Sequence, residues 1–180
     1  MRLAYADPPY PGCADLYRDH PDYAGEVDHR ELVEQLQDEY DGWVLHTHVP
    51  GLRMLEREHI LPEGNEIRIC QWVKPFAAFK RNIPVGYASE PVIIKAARRP
   101  VVSKRVTPLR DFFQGDTVRE SIAMKRGLIG AKPEAVVHWA LEVLGARPDD
   151  EFIDLYPGTG AVSKAWENWR GKFILPQDTT

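Results

Sequence analysis

Apolar and polar positions follow two alternating rhythms along the chain, with short apolar runs between stretches of helical spacing. Leu3 to Ala6 reads as a short strand, and the proline-rich turn "DPPY" follows it. From His29 to Tyr40 the apolar residues Leu32, Val33, Leu36 and Tyr40 form one helical stripe. Asp28 is a suitable N-cap for that helix, Glu31 completes a capping-box pattern, and Val27 and Leu32 are spaced for a hydrophobic staple. "WVLHTHV" (43–49) predicts a buried strand, "GLRMLEREHI" (51–60) a short helix, and "EIRICQWV" (66–73) and "EPVIIKA" (90–96) two further strands. Residues 100 to 128 show the least regular pattern. A second strong helix is predicted in "KPEAVVHWALEVLG" (132–145), with Pro133 in its first turn and Gly145 at its end. "EFIDLY" is then a strand, "PGTG" a tight loop, "AVSKAWENW" a helix, and "KFIL" a short last strand. Strands alternating with helices predict an α/β fold with a mostly parallel sheet.

The chain has 180 residues, which fits one domain; 43% of them are apolar and 28% charged, an ordinary globular balance. No apolar run approaches the roughly 18 to 20 residues that span a bilayer, and the N-terminus lacks the pattern of a signal sequence. Cys13 and Cys70 lie far apart, form no C-x-x-C pair, and are expected free in a reducing compartment. A cytoplasmic location, away from membranes, is the expectation. The net charge is −4, but Lys95 to Arg110 holds six basic residues and no acid, so the remainder carries −10. Lys95, Arg98, Arg99, Lys104 and Arg105 are therefore either candidate phosphate contacts or a solvated surface.

Two stretches draw attention for chemistry. Asp7-Pro8-Pro9-Tyr10 is rigid, because each proline fixes its own φ and lacks a donor. It is either a plain turn or a preformed clamp of carboxylate, carbonyls and ring for a planar group. "EFIDLYPGTGAV" places a glycine turn between a strand and a helix, where bare amides meet a ligand. Its G-x-G lacks a third glycine and lacks the Gly-Lys-Ser/Thr of a phosphate loop. His46 and His48 alternate, which puts both rings on one strand face; no third ligand has metal-site spacing, so no metal is expected and His48 is read as a substrate contact.

Taken together, the motifs resemble a known family. Asp154-Leu155-Tyr156-Pro157-Gly158-Thr159-Gly160 is similar to the D-x-F-x-G-x-G loop of S-adenosylmethionine-dependent methyltransferases. Asp7-Pro8-Pro9-Tyr10 matches the D-P-P-Y motif of the amino-methyltransferases that modify exocyclic base nitrogens. The helix starting at Lys132-Pro133 resembles the K-P helix that precedes the glycine loop in permuted members, and "QWVKP" with "SEPVIIKAAR" is similar to the strand pair following the D-P-P-Y half. The chain is thus identified as resembling the permuted DNA N6-adenine methyltransferases and, more distantly, the RNA N6-adenosine enzymes, which carry Trp in place of Tyr10.

The resemblance implies a single-domain, Rossmann-like, circularly permuted and minimal methyltransferase over 1–180. Residues 1–99 would be the catalytic half, 100–128 a basic insert in place of a target-recognition domain, and 129–180 the cofactor half. It implies that Asp7 and the Pro8 carbonyl accept the target N–H groups, Pro9 stiffens the clamp and Tyr10 stacks on the base. It assigns S-adenosylmethionine to Asp154, Tyr156, Pro157, Gly158, Thr159 and Gly160, with Lys132 and Pro133 at its methionine end. The expected partner is DNA, with adenine N6 as target; cytosine N4, an RNA adenine and a catalytically idle nucleic-acid-binding relative are the alternatives. The chain departs from the family where a ribose-holding acid should end the next strand, since only "GKFILPQDTT" remains, with Gln177 or Asp178 as substitutes. The insert has only about 30 residues, so target selectivity is expected to be low or supplied by a partner chain. The small sheet is also expected to leave an edge suited to homodimerisation.

Overall fold

The computed structural model describes residues 1–19, 25–64, 66–78, 84–98, 108–115 and 132–173. Six strands form one sheet: β1 (Arg2–Ala6), β2 (Gly42–His46), β3 (Ile67–Ala78), β4 (Tyr87–Lys95), β5 (Phe112–Gln114) and β6 (Glu151–Asp154). Their order is β5-β3-β4-β2-β1-β6. β1 pairs in parallel with both β2 and β6, and β3 with β5; only β4 runs against its neighbours β2 and β3. The fold is therefore the expected α/β sheet, mostly parallel. β1 therefore lies between β2 and β6, strands that are far apart in sequence.

Among the described residues four helices cover the sheet: α1 (His29–Glu39), α2 (Val49–Arg57), α3 (Glu134–Leu144) and α4 (Ala161–Gly171). None of these is long and apolar enough to cross a membrane. α1 starts where expected, with the Asp28 carboxylate accepting from the Arg30 and Glu31 amides at 2.9 and 3.1 Å. Its stripe of Leu32, Val33 and Leu36 packs with Leu55 of α2 onto Ala4, Ala6, Trp43, Leu45 and Ile93 of the sheet. The opposite sheet face, with Leu3, Tyr5, Val44, Cys70, Val92 and Ile94, is covered by α3 and α4. Burying both faces explains why these strands read as continuous apolar runs. Gly145 ends α3 in the left-handed conformation (φ 74°), as its position predicts. Pro133 is the N-cap of α3 rather than a first-turn residue.

Two local expectations need correction. The strand expected over 43–49 stops at His46, and α2 begins at Val49. Pro50 is the reason: without an N–H it interrupts a ladder but suits a first helical turn. His46 and His48 therefore do not alternate on one strand; His48 is the N-cap of α2, its Nδ1 accepting from the Gly51 amide at 3.1 Å. The strand expected at "KFIL" also fails in its described part, since Lys172 and Phe173 form a turn after α4. The remainder of that segment, with Gln177 and Asp178, lies outside the described residues.

Candidate active site

Residues two apart on a strand share a face. On the face covered by α3 and α4, each strand is apolar through its middle and polar where it reaches one particular edge of the sheet. β1 runs Leu3, Tyr5 and then Asp7, β2 runs Val44 and His46, and β6 runs Phe152 and Asp154. β4 is reversed, so its beginning reaches the same edge: Ile94, Val92, Glu90. β3 contributes Cys70, Trp72 and Lys74. The carboxyl edge of the parallel strands thus gathers Asp7, His46, Lys74, Glu90 and Asp154, where open α/β sheets hold ligands.

Lys132, immediately before α3, enters this edge and is 4% exposed. Its ammonium donates to Asp7 Oδ1 at 2.7 Å and to the Tyr10 hydroxyl at 3.1 Å, and lies 3.3 Å from Glu90 Oε1. Glu90 Oε2 accepts from Lys74 at 2.9 Å, and Glu90 Oε1 pairs with His46 Nδ1 at 3.0 Å. His46 Nε2 meets the Tyr5 hydroxyl at 2.7 Å. An ionised carboxylate only accepts, so Nδ1 carries the proton and Tyr5 donates to Nε2.

Burial alone would raise the Glu90 pKa. The Lys132 charge, the His46 hydrogen bond and Lys74 overcome it and hold Glu90 well below the carboxylate range. Lys132 is likewise held protonated, because Asp7 and Glu90 outweigh its burial. Burial and the Lys132 charge lower His46, so its imidazole stays neutral, while burial and the carboxylates of Asp7, Glu90 and Asp154 push Tyr5 well up. Asp7, His46 and Glu90 offer atoms within 4.8 Å of one another, a spacing that suits a cation. The Lys132 ammonium already supplies that cation to both carboxylates.

Pro8 is buried, and a 2.8 Å bond from the Cys13 amide to the Tyr10 carbonyl closes the turn. The Tyr10 ring stacks on His48 with centroids 5.4 Å apart and planes at 21°. Both Asp7 contacts to described residues, Lys132 and the Tyr10 hydroxyl 3.5 Å away, fall on Oδ1, which leaves Oδ2 facing no described partner.

On the neighbouring strand, Asp154 Oδ2 accepts from the Ser163 hydroxyl and amide at 2.7 and 3.2 Å. Its Oδ1 is buried with no hydrogen-bond partner among the described residues. Burial raises the Asp154 pKa, outweighing the Ser163 donors and the nearby Tyr156 amide, and the Asp7 charge adds to it. Tyr156 is half-buried; Pro157, Gly158 and Thr159 form an exposed turn, and Gly158 (φ 46°) and Gly160 (φ 75°) are both left-handed. No atom lies within 4 Å of a Cβ built on Gly160, and only the Tyr156 carbonyl, at 3.9 Å, on Gly158. The turn is open toward the edge.

Asp7, Pro8, Tyr10, His48, Lys132 and Asp154 thus come together at one edge. Lys132, expected at the methionine end of a cofactor, contacts Asp7, Tyr10 and Glu90, because a buried ammonium needs acceptors around it. The basic segment is described only at its ends. Lys95 pairs with Trp43 at the start of β2, at the opposite edge of the sheet, and donates to Gln37 at 2.6 Å. Arg98 lies at that same amino edge and grips Asp150 through two hydrogen bonds and the Gly145 carbonyl at 2.8 Å. Arg99, Lys104 and Arg105 lie outside the described residues. Glu90, Tyr5 and Lys74 are the site residues that sequence reasoning did not select; a charged residue opening an otherwise apolar strand was the available signal for Glu90.

No family model matches the chain, and no curated protein matches it by sequence. Among similar solved structures is the crystal structure of the M1.HpyAVI–SAM complex, at a TM-score of 0.57 and 16% identity, covering 94% of this chain and 78% of that one. The likeness is one of fold.

Proposed function

We propose that this chain is a methyltransferase that uses S-adenosylmethionine and acts on the exocyclic N6 of adenine in DNA, residues 1–99 and 129–180 forming one catalytic unit in permuted order. The observation that carries this reading is the juxtaposition of the two half-motifs: Asp7 and Asp154 end adjacent parallel strands on the same sheet face. The shared fold with a protein crystallised with SAM supports the cofactor.

The residues present fit that cofactor. The unpartnered, buried Asp154 Oδ1 is placed to accept from an ammonium group, and the open turn at Gly158 and Gly160 admits a ligand against backbone. When bound, S-adenosylmethionine supplies a sulfonium methyl group as electrophile. The chain's own residues must then hold the nucleophile. An adenine amine is a poor one, because its lone pair is delocalised into the ring. Asp7 Oδ2 and the Pro8 carbonyl accept its two N–H groups, orient the nitrogen and stabilise the positive charge that develops on it. Pro9 keeps the carbonyl in place. Tyr10 and His48 form a two-ring platform for the base, which in duplex DNA has to be flipped out to reach it.

The test is transfer of label from methyl-labelled S-adenosylmethionine to DNA oligonucleotides, followed by nucleoside analysis. The reading expects N6-methyladenine. Label on cytosine or only on RNA would correct the target, and a folded protein that neither binds S-adenosylmethionine in calorimetry nor transfers label would overturn the reading.

A further inference from the structure

Asp7 stands just past the end of β1, where no ladder holds its side chain, and Lys132 reaches it on a long, flexible stem. What fixes the pair is a third residue on a central strand. Glu90 is buried on β4 and receives three donors, one each from His46, Lys132 and Lys74. His46 is itself locked by the Tyr5 hydroxyl behind it. The hydrogen bonds run from Tyr5 through His46 to Glu90, and Tyr5 is fully buried, so behind His46 the chain ends in the core. Its output is positional and electrostatic.

We propose that Glu90 is a positioning residue for the amine-binding carboxylate, fixing Lys132 and through it Asp7. The inference rests on the proposed methyl transfer. Lys132 donates to Asp7 at Oδ1 while Glu90 Oε1 lies 3.3 Å from the same ammonium. Without the Glu90 charge, Asp7 is the carboxylate left in described contact with Lys132. Lys132 then swings onto both Asp7 oxygens and takes the acceptor that the target amine requires. Charge balance gives the same answer: Asp7 and Glu90 together offset the Lys132 and Lys74 ammonium groups, whereas without the Glu90 charge Asp7 draws Lys132 more strongly.

Glu90→Gln removes the charge and keeps the volume. Single-turnover methylation should fall about 10- to 100-fold, as for residues that orient a functional group from behind, while the Kd for S-adenosylmethionine changes less than about threefold, because Asp154 and the glycine turn lie in the other half. Glu90→Asp, which keeps the charge, should retain more of the rate than Glu90→Gln. In an Asp7→Asn background Glu90→Gln should add little, since both act on one group. Thermal unfolding of each variant separates a loss of fold from a loss of rate. A wild-type rate in Glu90→Gln, or the same fold loss with and without Asp7→Asn, would overturn the positioning role alone. A wild-type protein that transfers no methyl group would instead remove the functional reading beneath it.

Discussion

The two edges of the sheet each carry an ionic cluster, and the clusters differ in whether their bonding is complete. At the amino edge, Asp150 accepts from the Arg98 guanidinium on both oxygens, from the amino terminus at 2.9 Å and from the Arg147 amide at 2.7 Å. Every carboxylate oxygen is occupied and the side chain is 1% exposed. At the carboxyl edge, Asp7 has an oxygen without a described partner, and Asp154 has a buried one. A closed cluster fastens the chain to itself, while an open one in a buried setting leaves hydrogen bonds for a ligand. Residue type does not separate them, since both set carboxylates against arginine or lysine. What separates them is saturation.

The largest effect is expected from closing the open edge. Gly158→Val places a branched side chain at φ 46°, a strain of about 1–3 kcal/mol, in the space a ligand would approach. The Kd for S-adenosylmethionine should rise about 100-fold or more, with the circular dichroism of the fold retained. Unchanged affinity would separate the glycine turn from the cofactor site. Next comes opening the closed edge. Arg98→Ala leaves Asp150 buried with half its donors and should lower the unfolding free energy by about 3 kcal/mol, while the salt dependence of DNA binding stays that of the wild type. A flattened salt slope at unchanged stability would return Arg98 to a phosphate-contacting role.

The smallest effect is in acid. Burial would raise the Asp150 pKa, but its hydrogen bonds from Arg98, the amino terminus and Arg147 bring it down to about 2. A depressed carboxylate stabilises the fold above its unfolded pKa and loses that contribution as pH falls through the folded value. About 2 kcal/mol should therefore disappear between roughly pH 4 and pH 2. In Arg98→Ala this acid-dependent part should shrink. Denaturant titrations over that range check both statements.

How much of this was legible in the sequence depends on which property the site uses. Elements set by local chemistry were readable: Asp28 capping α1, Gly145 ending α3, and the glycine turn between β6 and α4. The placement of Asp7 beside Asp154 was readable only through the resemblance, because nothing local says that the first and last strands pair. Glu90 was not selected because β4 runs backward. In an antiparallel strand the first residues, not the last, reach the functional edge, and direction is a property of pairing rather than of pattern. Composition likewise does not say that Lys95 and Arg98 stand at the amino edge of the sheet. Pro50 was the local signal that should have stopped the strand at His46.

The central claim is that Asp7 accepts a hydrogen bond from the amine being methylated, and single-turnover methylation by Asp7→Asn tests it most directly. Asparagine keeps the shape of the side chain but can turn an N–H toward the amine's own hydrogens. The chemical step should fall by about two orders of magnitude or more, with affinity for S-adenosylmethionine little changed. Methylation of adenine by Asp7→Asn at the wild-type rate would contradict it, and would reduce Asp7-Pro8-Pro9-Tyr10 to a structural turn.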